Sequence, residues 1–596
     1  MKAALILAAS FLAPTSTVQA AAGKPSAHDR LFQLFKASDD DNLRRNPLQA
    51  LYRGDYRFAG HLGDLFSDAH YQREKAAAEH DLGALHAISR AQLGADDQLA
   101  YDVFDFQTRD TLRGLQSDLL TLTEALPMNH FYGLHTAYPT LASGQGGAPY
   151  ATVQDYENSL KRDRDFAANV AEAIRQWRKG EAEGVVDSKL TVRNMVEQLN
   201  AQLNLKPEDS PYWAPIKAFP ATIGGAERER LTGAYRASIT GVIYPALTRL
   251  RDFLQNDYLP RAHEGDGLLY MKGGDALYRQ ELQSTTTLPL TPEQIHQLGL
   301  SEVARITSEF EQVKQQVGFS GDLHAFFDHM RTDPQFAAKS EGQLQGDFYR
   351  LKQAIEARVP QYFSAVPRTP LVIQPYPAYR EKFEAGASYD SGSADGKRPG
   401  TFYFNAYDLP SRFTWEETTL FLHEGEPGHH FQISLAQENP RLPSFMRFGG
   451  NTAYVEGWAL YSEALGYPMG LYTDPYQRFG NLNDEMLRAM RLVVDTGIHA
   501  KGWTRDQAIA YMLANSGESK TDATAEVERY IAIPSQAVAY KIGALKIQEL
   551  RDRAKAALGH RFDIREFHAQ VLGSGALPLS ILEAKIDRWV AAKQAS

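Results

Sequence analysis

AYDVFDFQTRDTLRGL, residues 100–115, sets the fold class: apolar residues recur at helical spacing among charged and polar ones. The same pattern fills LGALHAISRAQL at 82–93 and most of the chain from His28 to about Val359. A helix with one apolar stripe must bury it against a neighbour, so this long segment predicts helices packed on helices. The breaks between them, YPTLASGQGGAPY at 138–150 and KAFPATIGGAE at 217–227, are rich in Pro and Gly and read as loops, not linkers. No unit repeats with a period of roughly 20–50 residues, which argues against a solenoid.

The pattern changes between Pro370 and Asn405. There PLVIQPYPAY and TFYFN are short and β-branched or aromatic, separated by a polar, glycine-rich stretch from Ala385 to Gly400. These predict a small β-sheet with a mobile connection, followed by helices to the C-terminus. The expected class is therefore mainly α, one large helical body or two intimately packed lobes over residues 21–596. Residues 1–20, MKAALILAASFLAPTSTVQA, carry Lys2, an apolar run and small residues ending at Ala20, the pattern of a signal peptide. The mature protein is accordingly expected to be exported, periplasmic or secreted, with no membrane span. A net charge of -10 and a pI near 6.0 disfavour nucleic acid and anionic membrane as main partners. The sequence contains no Cys, so it offers no lipid-attachment thiol, disulfide or thiolate ligand, and any metal must be held by His and carboxylates.

Such a set follows the sheet at once: His423-Glu424-Gly425-Glu426-Pro427-Gly428-His429-His430. Thr414 and Glu417 have the spacing of a capping box, which would open a helix through Leu420 toward His423. Zinc hydrolases of the HExxH type set two imidazoles one helical turn apart on one ion, while the intervening Glu polarises the attacking water. Here the residue four after His423 is Pro427, which lacks an amide hydrogen and clashes with the preceding turn, so the helix must break or widen around residues 425–428. Two assignments then compete for the second ligand. On an unbroken helix His430 returns to nearly the face of His423, about 10.5 Å along the axis. If the Pro-Gly step loops two residues out, His429 takes that place and ends an HExGH-like motif. The reading leans to His429 and gives the other histidine a pocket-lining role.

The third ligand is sought in AYVEGWALYSEALG at 453–466, which reads as a buried helix. Glu456 is the choice; Gly457 beside it would let helices approach and Trp458 would close the pocket. Glu463, seven residues on, lies on a similar face and could orient a ligand instead of binding the ion. Three protein ligands leave a fourth position for water, the mark of a catalytic zinc site. Zn2+ suits His and carboxylate best, and cobalt or manganese would be accepted by much the same set.

Four ordered motifs, HEGEPGHHFQ (423–432), YVEGWALYSE (454–463), RLVVDTGIHAKGWT (491–504) and QAVAYKIGALKIQELR (536–551), resemble the bacterial proteins grouped as domain of unknown function 885. The resemblance implies a helical, zincin-like fold similar to the oligopeptidase and angiotensin-converting-enzyme groups, with a deep substrate channel and peptidase activity. Related peptidases stabilise the oxyanion with a Tyr or His from a downstream helix. Tyr540 fits that role by position, and His499 is the second candidate, with Asp495 four residues earlier to fix its tautomer. Lys541 or Arg529 could grip a substrate carboxylate, and Asn405 could present an edge strand to an extended peptide. The expected activity is hydrolysis of short peptides by metal-assisted attack of water, with Glu424 as general base. Rival readings are a zinc amidase acting on a non-peptide or cell-wall amide, and a non-catalytic exported peptide-binding protein. A serine hydrolase is disfavoured because no GxSxG elbow joins a strand to a helix.

Overall fold

In a computed structural model of the protein, residues 25–377 and 381–595 are described; the expected signal peptide lies outside them. Helix follows helix from Ala27 to Tyr362, as the apolar spacing predicts. The helix Val153–Glu183 shows why. It starts where Thr152 and Asp155 cap each other reciprocally, and it ends at Gly184, whose φ of 78° is a left-handed stop that glycine adopts without strain. The Pro/Gly-rich stretch 138–150 is only partly loop, because the helix Leu134–Ala142 runs into it and carries Pro139 inside.

Among the described residues the sheet has three strands, Leu371–Pro375 (β1), Ala387–Asp390 (β2) and Gly400–Phe404 (β3), in the order β1-β3-β2. β1 runs parallel to β3, and β2 runs antiparallel to it. The stretch 385–400, expected as a connection, thus contains a strand of its own. β3 alternates as a half-buried strand should, and its buried Phe402 packs 5.0 Å from Phe421, on the helix that leads to the histidines. That helix, Glu417–Glu424, has no side-chain cap: Thr414 does not form the predicted box with Glu417, because its backbone N–H and hydroxyl both donate to the Phe336 carbonyl.

One apolar cluster joins residues 31–104 with 278–586 and surrounds the sheet and the histidine helices. A second is built of buried residues between Leu62 and Ala262 and forms a helical lobe around Phe166 and Trp177. A third lies where the helices Pro292–Gln316 and Pro475–Lys501 pack together. The helices Thr452–Leu465 and Ala539–Leu558 cross at Gly457 and Gly543. A Cβ on Gly457 would stand 2.4 Å from the Gly543 carbonyl carbon, and one on Gly543 would stand 1.7 Å from the Ala453 oxygen. Only paired glycines allow this approach. Among the described residues no helix is long and apolar enough to cross a membrane.

Candidate metal centre

The helix Glu417–Glu424 stops at Gly425, whose φ of -95° and ψ of -115° leave the helical region, and a new helix begins at His429. Between them the chain folds back so tightly that a Cβ on Gly428 would lie 1.9 Å from the His423 oxygen. The turn is held from behind. The Pro427 carbonyl accepts from the Trp458 indole at 2.8 Å and from the Ser462 hydroxyl at 3.3 Å. Leaving that carbonyl unbonded in the interior would cost about 1–3 kcal/mol. Trp458 is wholly buried and so clamps this turn instead of closing a pocket mouth.

The interruption swings His429 back toward His423. Nε2 of His423 and Nε2 of His429 lie 3.6 and 3.5 Å from the same oxygen, Oε2 of Glu456. Donor atoms of these three residues all lie within 4.8 Å of one another. The structure brings His423, His429 and Glu456 together and leaves His430 outside the cluster. The His430 ring turns to β2, with Nδ1 3.1 Å from the Tyr389 hydroxyl, because the broken helix no longer carries it to the face of His423. Nδ1 of His423 meets Oε1 of Glu463 at 2.7 Å, which places the ring proton there and aims the Nε2 lone pair at the cluster. Asn481 donates to the other Glu463 oxygen at 3.4 Å.

The spacing tests whether a metal fits. Charge-assisted hydrogen bonds are about 2.7–2.9 Å long, so contacts of 3.5 and 3.6 Å are too long to be good ones. Two donors about 2.1 Å from one tetrahedral ion stand roughly 3.4 Å apart. The donor set, two imidazole nitrogens and a carboxylate oxygen, could hold a zinc ion and would leave one of its four positions over. The carboxylate and the imidazoles stabilise one another's charge. Burial pushes the Glu456 carboxyl up, but the adjacent His429 and His423 hold it far below the usual range. Burial pushes His423 down, but its contacts with Glu456 and Glu463 raise it well above an ordinary imidazole. Glu424 closes the helix directly after His423, half-buried, and its carboxylate hydrogen-bonds no described residue.

The remaining predicted residues divide. Tyr540 is half-buried on the helix that crosses Glu456's own; the Arg491 guanidinium lies 4.6 Å from its ring centroid, and its hydroxyl bonds no described residue. His499 is not available as an oxyanion donor: Nδ1 accepts from the Leu268 backbone at 3.1 Å and Nε2 donates to the Tyr530 carbonyl at 2.9 Å. Burial holds its pKa down to about 4, so the ring stays neutral and both nitrogens are spent. Asp495 does not orient it either, since its carboxylate takes the Tyr278 hydroxyl at 2.5 Å and the Ser535 backbone N–H. Lys541 is buried between Glu485 and Glu302, at 2.6 and 2.9 Å. Arg529 is tied to Gln536 at 2.7 Å and Glu526 at 3.0 Å. These two cations are matched by protein carboxylates and amides and do not present themselves to a ligand. Asn405 follows β3, the middle strand, so it cannot offer an edge; its amide instead bonds the carbonyls of Glu381, Glu384 and Ala385. The edges are β1 and β2.

Sequence reasoning missed the polar stripe Asn481, Asp484, Arg488 and Arg491 on the helix Pro475–Lys501. Asn481 supports Glu463, Arg488 pairs with Asp484 at 2.7 Å, and Arg491 pairs with Glu526 at 2.9 Å beside Tyr540. Its signal was present: polar residues three or four apart inside a run otherwise apolar enough to be buried.

The structure resembles solved ones over nearly its whole length. A "putative lipoprotein" from Colwellia psychrerythraea aligns with a TM-score of 0.87 at 27% identity, covering 95% of this chain and 100% of that one. A "putative lipoprotein of unknown function" from Shewanella oneidensis aligns with a TM-score of 0.72 at 19% identity, covering 93% and 99%, a likeness that speaks for the fold alone. No curated protein matches the chain. The family model described as bacterial protein of unknown function (DUF885) matches residues 47–586, and the protein belongs to that family.

Proposed function

We propose that this protein is an exported, zinc-dependent peptidase that hydrolyses short peptides. The observation that carries the reading is the convergence of His423 and His429 on one oxygen of Glu456, at 3.6 and 3.5 Å, a spacing that ligands of one ion would have. His423, His429 and Glu456 would hold a zinc ion, which would supply Lewis acidity toward water and a peptide carbonyl. Glu424 takes the proton from the attacking water and returns it to the leaving amine. Glu463 fixes the tautomer and aim of His423. Tyr540, with its free hydroxyl, donates to the oxyanion as it forms, and Arg491 holds its ring in place. A zincin-like helical frame closing a channel over the site would admit short or unfolded peptides, which suits an oligopeptidase, dipeptidase or carboxypeptidase.

Metal content and turnover test this separately. Purified protein is expected to hold about one zinc per chain, lost in His423→Ala. Glu424→Gln is expected to keep the zinc and lower peptide hydrolysis by about 10²–10⁴-fold. Zinc without turnover on any peptide would leave a metal-bearing binding protein or an amidase for another bond. Metal-free protein from a chelator-free preparation would end the zinc reading itself.

A further inference from the structure

The helix His429–Glu438 has the histidines at one end and, at the other, a cavity of about 490 Å³ that the proposed chemistry does not use. Its walls come from the C-terminal end of this helix, the segment after Tyr362 and the helix Ile564–Leu572. The volume lies in the range of small-molecule sites. The floor is apolar: Phe363 and Leu572 are buried, and Leu435 completes it. His568 also faces it but brings no chemistry, since Nδ1 donates to the Tyr362 carbonyl and Nε2 accepts from the Tyr461 hydroxyl, both at 2.9 Å.

The charged groups stand at the rim. Glu438 accepts from the backbone N–H groups of Arg368 and Thr369, from the Thr369 hydroxyl and from Arg368 Nε, at 2.7–3.1 Å. Its charge is therefore spent on fixing the segment 368–369. The terminal nitrogens of Arg368, a side chain 79% exposed, remain free beyond that contact. The exposed Arg441 guanidinium bonds no described residue. An apolar pocket with the unpaired Arg441 guanidinium at its mouth, beside the outer nitrogens of the Arg368 that Glu438 holds, has the complement of an amphiphilic anion: the chain fills the floor, and a planar carboxylate accepts from the forked N–H donors.

We propose that this cavity binds an apolar molecule carrying one carboxylate, either a medium-chain fatty acid or the C-terminal apolar residue of a peptide. The inference is independent of the metal site and of hydrolysis. Isothermal titration of the whole protein with decanoate, decyltrimethylammonium and N-acetyl-leucine, each below any micelle concentration, tests it by heat alone. Decanoate or N-acetyl-leucine is expected to saturate one site per chain, and the cation is not. Affinity is expected to fall at least tenfold in Arg441→Glu, which reverses the rim charge, and in Ala569→Trp, which fills the cavity from an exposed position on its wall. Tighter binding of decanoate identifies a lipid-derived ligand, and tighter binding of the amino-acid derivative identifies a peptide end. The proposal is overturned if neither carboxylate saturates, if the cation binds as well, or if both variants, shown folded by circular dichroism, bind as the parent does.

Discussion

The histidine turn and the helical lobe of residues 62–262 both bury ionisable side chains, and they treat them in opposite ways. In the lobe, Asp163 takes the hydroxyls of Tyr138 and Ser238 at 2.5 and 2.6 Å, and Asp187 takes Trp177 and Tyr258 at 3.1 Å. Neutral donors close these carboxylates off, and burial carries Asp187 up to about 7. At the turn, Glu456 faces two imidazole nitrogens just beyond hydrogen-bonding distance and is driven down instead. His499 and His423 repeat the contrast within one residue type: both are buried, but only His423 keeps a nitrogen aimed at other ligand-type atoms. Burial alone therefore does not mark a site. What sets the turn apart is the convergence of its donors.

Paired substitutions can break this comparison. The largest difference is expected between His423→Ala and His499→Ala: elemental analysis should find the zinc lost in the first and kept in the second, while the second loses more thermal stability. Zinc retained in His423→Ala would erase the distinction. A smaller effect is expected from Glu463→Gln, which keeps the shape but not the charge behind His423. Competition with a chelator should show zinc affinity reduced about 10–100-fold, the usual effect of changing a ligand's hydrogen-bonded partner. Unchanged affinity would make Glu463 a bystander.

The lobe gives a pH-dependent counterpart. Asp187 holds its proton more tightly folded, near 7, than unfolded, near 3.8. Its contribution to stability is full below the unfolded value and is lost as pH rises through the folded one. The slope approaches about 1.4 kcal/mol per pH unit in that window. Asp187→Asn should remove this slope, so the difference in unfolding temperature between variant and parent should move in the variant's favour from pH 4.5 to 7. A difference that stays flat would show that Trp177 and Tyr258 stabilise the charged form after all.

Helical spacing in the sequence was enough to foresee the class of fold, because each helix announces its own apolar face. The chemistry of the HEGEPGHH turn was readable as far as the Pro-Gly break, since Pro427 forbids a continuous helix whatever surrounds it. Which histidine returns to the cluster was not, because that depends on Trp458 and Ser462 holding the Pro427 carbonyl from 31 and 35 residues away. The same holds for His499: nothing local reveals that its nitrogens end on the backbone of Leu268 and Tyr530. Strand β2 escaped because serine, tyrosine and aspartate between glycines look like a turn until β3 supplies a partner. Asn405 was misplaced for a related reason, since strand order is not a property of any one strand.

The smallest test compares two threonines that look alike in sequence. Thr152 and Thr414 each precede an acidic residue by three positions, but only Thr152 caps a helix, with its hydroxyl 3.3 Å from the Asp155 backbone nitrogen and its own N–H on the Asp155 carboxylate. Thr152→Ala removes an acceptor that no other group replaces and should cost about 1 kcal/mol. Thr414→Ala removes only a hydroxyl contact to the Phe336 carbonyl, which keeps the Thr414 backbone N–H at 2.8 Å, and should cost under about 0.5 kcal/mol. Hydrogen exchange at the first turn of each helix measures this locally: faster exchange of the Asp155 amide in Thr152→Ala, and little change over residues 417–420 in Thr414→Ala. Equal loss of protection at both sites would mean that the helix leading to His423 is capped by Thr414 in solution, and that its start is set locally and not by the strand-like contact with Phe336.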